Sequence, residues 1–155
     1  MPVDETRIFT LYREAHNLRS RDPDRALTLL LEVAALLDEN EELPTDRKLL
    51  TKDLFEAKAY CEARNFGVKT LHLIEDSSGQ HSEEALRFAQ WLAQQFFDSE
   101  LFEDALDIDE PLLEYHQQCG VGNRPVIEKK KISIRHRMVR CLEKIGHYLH
   151  AVQFH

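Results

Sequence analysis

Histidines near the end of the chain are the first residues whose type and spacing could support chemistry. Of eight histidines, His147 and His150 stand three residues apart, with Glu143 one helical turn before His147. On a helix these side chains share one face, and imidazoles beside a carboxylate are ligands for zinc or copper. No HExxH or CxxC motif accompanies them. We therefore expect solvated histidines, no metal and no cofactor, and keep a helical metal-binding protein as an alternative.

Cysteine–histidine catalysis is the second chemistry to consider, because Cys141 lies close in sequence to His136 and His147. Such catalysis needs a third group to orient the histidine and a site that stabilises an oxyanion, and the sequence indicates neither. A glycine-rich phosphate loop is also missing among the five glycines. The prediction is a protein that is not an enzyme, with a helical enzyme using the histidine-rich end as a less favoured alternative.

A basic segment from Arg124 to Arg140 is the most pronounced charge feature. Its seven basic residues are opposed only by Glu128, so the segment carries +6 and the rest of the chain −14, for a total of −8. Helical spacing places most of these cations opposite Ile134, Met138 and Ile145, which predicts an exposed basic face.

Several interpretations of this basic face remain open. The favoured one is a solvated face, or one paired with acidic residues of the chain itself. The acidic candidates are Glu100, Glu103, Asp104 and Asp107. The others are a docking site for an acidic peptide or a phosphate group, and nuclear-import recognition of KKKISIRHR.

Composition and charge exclude several classes of protein. A chain of 155 residues with 43% apolar and 31% charged residues suits one folded, helix-rich domain. The net charge of −8 argues against binding of duplex nucleic acid. The three cysteines form no disulfide or zinc pattern, the start resembles no signal peptide, and no apolar run reaches about 18 residues. These features predict a soluble protein of the cytoplasm or nucleus without membrane contact.

Apolar spacing of three and four residues predicts helices in the first half of the chain. One helix runs from about residue 5 to 20. Asp22 as N-cap and Pro23 as first helical residue begin the second. A third extends through Leu54 and Cys61, and a short helix covers 68–76. The alternation in VKTLHLI, within that last segment, leaves a strand as an alternative there.

The second half of the sequence is also predicted to be helical. Ser82 can cap a helix, and Pro111 should kink or restart the one after it. The last, long helix opens at Pro125 and is expected to end at Gly146. Together these features predict an all-α protein.

Short segments resemble the turn of the tetratricopeptide repeat. IGHYLHA (145–151) supplies the glycine, the aromatic and the small residue, and SELFEDA (99–105) matches it with Phe102 and Ala105. SRDPDRA (20–26) keeps the final Ala26, and ARNFGVK (63–69) offers Phe66 and Gly67. The intervals between the final alanines of these segments, Ala26, Ala105 and Ala151, exceed the roughly 34 residues of the plain repeat. The chain is in this respect similar to the divergent repeats of large scaffold proteins.

The resemblance implies a right-handed α-solenoid of about four antiparallel helix pairs, in a single helical-repeat domain covering 1–155. Only nine residues follow Gly146, too few for a full second helix, so we expect an N-terminal fragment of a longer scaffold protein. The basic carboxylate clamp of chaperone-binding repeats does not map onto this sequence.

The function implied by the resemblance is a non-enzymatic protein–protein interaction module within a larger scaffold or complex. A partner helix or peptide, acidic in one version of this hypothesis, would bind the concave face formed by the first helices of the pairs. Self-association, as a dimerisation adaptor or with further repeats of the same chain, is the alternative. The predicted partner contacts are Lys130, Arg137 and Arg140 on the basic helix, with Arg13, Asn17 and Gln94 on inner helices.

Overall fold

A computed structural model describes residues 5–39, 44–118 and 124–153, with side chains except at 44–45, 124–127 and 147–153. Within these ranges the chain forms seven helices and no strand, so the all-α prediction is confirmed there. None of the described helices is long and apolar enough to cross a membrane. The helices are α1 (Glu5–Leu18), α2 (Pro23–Glu39), α3 (Pro44–Glu56), α4 (Tyr60–Ser78), α5 (Glu83–Asp98), α6 (Phe102–Gln118) and α7 (Arg124–Gln153).

The chain divides into two compact units, Met1–Gln80 and His81–His155. In the first unit α1 and α2 form one helical hairpin, α3 and α4 form another, and α2 packs against α3. Asp22 caps α2 as predicted, because its Oδ1 accepts a hydrogen bond from the Arg25 backbone N–H at 3.2 Å. The interior is mainly apolar and includes Ala15, Leu30, Val33, Leu37, Leu50, Leu54 and Ile74.

In the second unit α5 and α6 form a hairpin, and α7 packs along α6 with a smaller contact to α5. Ser82 caps α5, since its hydroxyl accepts the Ala85 backbone N–H at 3.2 Å. The core of this unit contains Leu92, Ala93, Phe96, Ala105, Leu112, Ile134 and Cys141.

The same turn geometry joins the helices of two hairpins. Lys58 and Glu100 have φ of 61° and 63°, and Glu100 follows Lys58 by 42 residues. In both turns the next residue donates its backbone N–H to the carbonyl five residues earlier, from Ala59 to Leu54 and from Leu101 to Phe96. This is the Schellman arrangement, here built without glycine. The α3/α4 and α5/α6 hairpins are therefore structurally repeated.

Equivalent positions of the α3/α4 and α5/α6 hairpins are also buried in the same way. Leu54 and Phe96 precede the two turns and are fully buried, as are Ala63 and Ala105 in the first turn of the following helices. A small residue at that position lets two helices approach closely, as the resemblance to repeat proteins implies for Ala105.

Three helix boundaries differ from the sequence-based expectation. The predicted third helix ends at Glu56, and Cys61 lies in α4. The reason is that Lys58 adopts a left-handed conformation although no Gly or Asn marks the site. The segment ARNFGVK contains no turn and lies inside α4, which also contains 68–76 as its second half. Helix at 68–76 is therefore confirmed, although it is no separate short element.

The expected end at Gly146 is also wrong, because α7 continues through it to Gln153. A glycine within a helix costs about 1 kcal/mol relative to alanine but does not end it. Likewise α6 continues past Pro111, which is exposed, so the helix does not restart there. The described residues thus form three hairpins, and the single helix α7 stands where a turn at Gly146 would have made a fourth pair.

Candidate interaction surfaces

One face of α7 is buried, and it includes Arg137 together with Ile134 and Cys141. The Arg137 guanidinium donates from Nη2 to Asp109 Oδ1 at 2.6 Å and from Nε to Asp109 Oδ2 at 2.7 Å. The expectation that Arg137 lies on an exposed basic face is therefore wrong, since the residue is 7% exposed. The physical reason is that a buried carboxylate on α6 requires a cation beside it.

Gln94, which is half-buried, extends the same hydrogen-bond network. Its Oε1 accepts the Arg137 Nη1–H at 3.0 Å, and its amide Nε2 donates to Asp98 Oδ1 at 2.9 Å. The structure thus brings two predicted contact residues together, but in a network that ties α5, α6 and α7 to one another. Neither side chain is free for a partner in this arrangement.

Two pKa shifts follow from the packing around this network. Burial raises the pKa of Asp109, and the hydrogen bonds and charge of Arg137 oppose that rise. Burial, aided by Asp109, raises the pKa of the Cys141 thiol to about 11, against a smaller lowering by Arg137. A thiol with such a pKa stays protonated at neutral pH, which makes Cys141 a poor nucleophile.

The opposite face of α7 points to solvent and combines apolar and charged side chains, the exposed Glu143 among them. Ile132, Val139 and Leu142 are 63%, 53% and 57% exposed. Their spacing of seven and three residues places them on one side of the helix at 100° per residue. Arg135 is exposed within this row, between Val139 and Leu142 around the helix, and Arg140 is exposed on one side of it. We call the three apolar residues and the two arginines the α7 outer face.

Lys130 is exposed as predicted, but helical spacing places it away from the α7 outer face, and its charge acts on His116 of α6. Burial lowers the pKa of His116 on α6, and the charges of Lys130 and Lys131 lower it further. Lys131 itself contacts Glu128 at 3.2 Å. Of the three basic residues predicted as contacts, Arg140 is the one that flanks the exposed apolar row.

Arg13 and Asn17 are exposed on α1, one helical turn apart, in the first unit. As for metal binding, no group of three or more His, Cys, Asp or Glu side chains is placed to hold an ion within the described part of the chain. The side chains of His147 and His150 lie outside that part.

A second buried cation, Arg47, was missed by the sequence analysis. Its side chain is fully buried, donates from Nε to Thr70 Oγ1 at 3.1 Å and from Nη1 to Asp38 Oδ1 at 2.8 Å, and lies 4.1 Å from the Phe66 ring centroid. Its Nη2 has no hydrogen-bond partner among the described residues. The sequence does indicate that position 47 is buried, because Arg47 precedes Leu50 and Leu54 at the spacing of one helix face.

A cleft of about 280 Å³ in the first unit is lined in part by Asp53. Burial, with a smaller contribution from Glu56, raises the pKa of Asp53 to about 6. An ion pair between Arg19 and Glu56 lies at the same cleft. Other charged or titratable residues that line it are Tyr12, His16, Asp24 and Lys58.

We expect replacement of Asp53 by asparagine to flatten the pH dependence of stability. The folded state binds this proton more tightly than the unfolded chain, with a pKa of about 6 against 3.8. Asp53 therefore stabilises the fold fully below about pH 4, and that contribution is lost as the pH rises through about 6. After allowance for solvent screening, Asp53→Asn should be more stable than the wild type by about 1 kcal/mol at pH 7.5.

Urea unfolding at a series of pH values measures this effect. Asp76→Asn, which removes an exposed carboxylate of α4, is the matched control for the loss of one charge. Parallel profiles for Asp53→Asn and the wild type between pH 4 and 7.5 would contradict the prediction.

Comparison with known proteins adds no relative to this description. No protein-family model, no curated protein sequence and no solved structure matches the chain.

Proposed function

We propose that this chain is a non-enzymatic protein-interaction module of the helical-repeat class, and that the α7 outer face binds an acidic amphipathic segment of a partner protein. One observation carries the proposal. Three large apolar side chains, Ile132, Val139 and Leu142, are more than half exposed in one row, with Arg135 in the row and Arg140 beside it.

The apolar row supplies the affinity in this proposal. Full burial of a Val, Leu or Ile side chain contributes about 1.5–3 kcal/mol, so three half-exposed residues offer a partner a few kcal/mol in total. A row with apolar residues at helical spacing fits a partner helix that presents its own apolar residues at the same spacing.

The two exposed cations favour a helix of opposite charge. Charge complementarity acts mainly on specificity and association rate, so Arg135 and Arg140 favour carboxylates beside the apolar residues of the partner. Dimerisation through α7 is the alternative, and light scattering over a concentration series separates it from partner binding.

The repeated hairpins support assignment to the helical-repeat class. Two hairpins share a turn of the same geometry at an interval of 42 residues, with fully buried Ala63 and Ala105 after the turns. In our proposal the hairpins are divergent tetratricopeptide-like units of a solenoid in a larger scaffold of the cytoplasm or nucleus. Repeat proteins of this kind present extended surfaces to partners.

The test is the double charge reversal Arg135→Glu with Arg140→Glu. Both residues are exposed, so the fold should be kept, while binding to partners captured from cell extract should weaken about tenfold or more. The matched control is Arg25→Glu with Lys52→Glu, which makes the same change of net charge at exposed positions of α2 and α3. Affinity capture with mass spectrometry identifies the partners, and titration of each purified partner measures the loss.

Two outcomes would overturn the proposal. One is a set of partners that binds both double variants and the wild type equally. The other is self-association in place of a partner, seen in light scattering as a mass that rises with concentration for the wild type and not for Arg135→Glu with Arg140→Glu.

A further inference from the structure

An apolar groove in the first unit is a second exposed surface, separate from the α7 outer face. It has a volume of about 670 Å³ and lies among α1, α2 and α3. Phe9 and Leu49 on its sides are 66% and 52% exposed, whereas Val33 and Leu37 beneath them are buried. Two large apolar side chains are thus held over a packed base, in contact with water.

The charged residues that line this groove, among those the structure describes, are both acidic. Glu5 lies in the first turn of α1 and Asp46 in the first turn of α3. The other lining residues are uncharged: Thr6, Ile8, Phe9, Tyr12, Val33, Leu37 and Leu49. The groove therefore pairs an apolar interior with a negative edge.

We infer that this groove docks an amphipathic helix whose bulky apolar residues are flanked by Lys or Arg. The α1 part of the lining extends from Glu5 to Tyr12. Seven residues of helix rise about 10.5 Å, the same length that anchors at positions i, i+4 and i+7 of a bound helix occupy. Cations beside these anchors lie next to Glu5 and Asp46, so charge complementarity selects a basic helix.

This inference does not depend on the proposal for α7, and the two surfaces have opposite charge preferences. The α7 outer face selects an acidic segment, and the groove selects a basic one. Each class of helix is accordingly the negative control for the other surface, and failure of one proposal leaves the other measurable.

Selection from a displayed library of helical peptides against the full chain tests the inference. The library holds peptides of about 18 residues, roughly five helical turns, with apolar and charged positions randomised. The expected result is a class of selected peptides with apolar residues at i, i+4 and i+7 and a net positive charge. Phe9→Glu should weaken binding of this class about tenfold or more, because it places a charge in the apolar groove.

Two further variants test whether the effect is confined to the groove and how much the acidic residues contribute to binding. Leu31→Glu changes an exposed leucine of α2 that does not line the groove and should bind the basic peptides as the wild type does. Glu5→Gln with Asp46→Asn removes the negative edge and should weaken basic peptides about threefold, with less effect as salt is raised. Circular dichroism and the urea midpoint of each variant show that it is folded.

The inference is overturned if no peptide is selected above background, if the selected peptides are acidic, or if basic peptides bind Phe9→Glu and Leu31→Glu equally well. It is also overturned if the groove is filled by another copy of the chain. That result would appear as a mass that doubles with concentration for the wild type but not for Phe9→Glu.

Discussion

Replacing Arg137 by methionine is expected to lower the free energy of unfolding of the second unit by about 3–4 kcal/mol. The guanidinium makes two hydrogen bonds of 2.6 and 2.7 Å to Asp109, a residue with no solvent exposure. Without it the carboxylate stays buried and unpaired, or must be protonated. Urea unfolding at pH 7 followed by circular dichroism measures the loss.

The double variant Asp109→Leu with Arg137→Met isolates the cause. It removes both charges and fills their space with apolar atoms, so it should be within about 1 kcal/mol of the wild type. A loss below 1 kcal/mol for Arg137→Met, or no recovery in the double variant, would contradict this account of the pair.

Arg47→Met is the matched control, since it removes an equally buried arginine with different partners. Thr70 also donates its hydroxyl to the Phe66 carbonyl at 2.7 Å, and Asp38 is part-exposed and lies 3.4 Å from Lys69 Nζ. Neither partner is left buried without a contact, and the unpaired Nη2 is removed. The expected change in the free energy of unfolding is within about 1 kcal/mol.

Enlarging Ala105 to leucine is expected to destabilise the second unit by about 2 kcal/mol. Ala105 is fully buried in the first turn of α6, which packs against both α5 and α7. Three additional carbon atoms there must displace a neighbouring helix or adopt a strained rotamer. Because Ala63 has the equivalent position after the other turn, Ala63→Leu should have a similar effect on the first unit.

Ala35→Leu is the control for this pair, because Ala35 is exposed on α2 and should tolerate the change within about 0.5 kcal/mol. Thermal unfolding of the three variants measures the differences. If Ala105→Leu and Ala35→Leu unfolded at the same temperature, the helices around Ala105 would not be closely packed.

Local signals in the sequence predicted where several helices begin. Asp22 and Ser82 cap α2 and α5 as expected, because an N-cap depends on one side chain and the backbone just after it. Helix ends were harder to predict. The turn after α3 relies on a left-handed lysine that carries no sequence signature, and Gly146, which carries one, lies inside α7.

The candidate site was predicted only in part. Arg140 is exposed beside an apolar row, whereas Arg137 is buried because Asp109 requires it. That pairing depends on the packing of α7 against α6 and is not encoded in either helix alone. Asp109 does stand at core spacing, between Ala105 and Leu112, so a search for charges at core positions would have found it. The groove in the first unit depends on three helices and left no comparable signal.

The environment of Arg47 has a consequence for how the first unit selects its own packing. The residue belongs to α3, yet its guanidinium contacts Asp38 of α2 and Thr70 and Phe66 of α4. A shift of α4 by one helical turn, about 5.4 Å, would leave this permanent charge without its oxygen acceptor on that helix. The same shift between helices in contact through apolar side chains alone would cost much less free energy. We therefore expect Arg47 to add little to the free energy of unfolding. Its effect is instead to raise the free energy of alternative packings in which α4 is shifted along its neighbours.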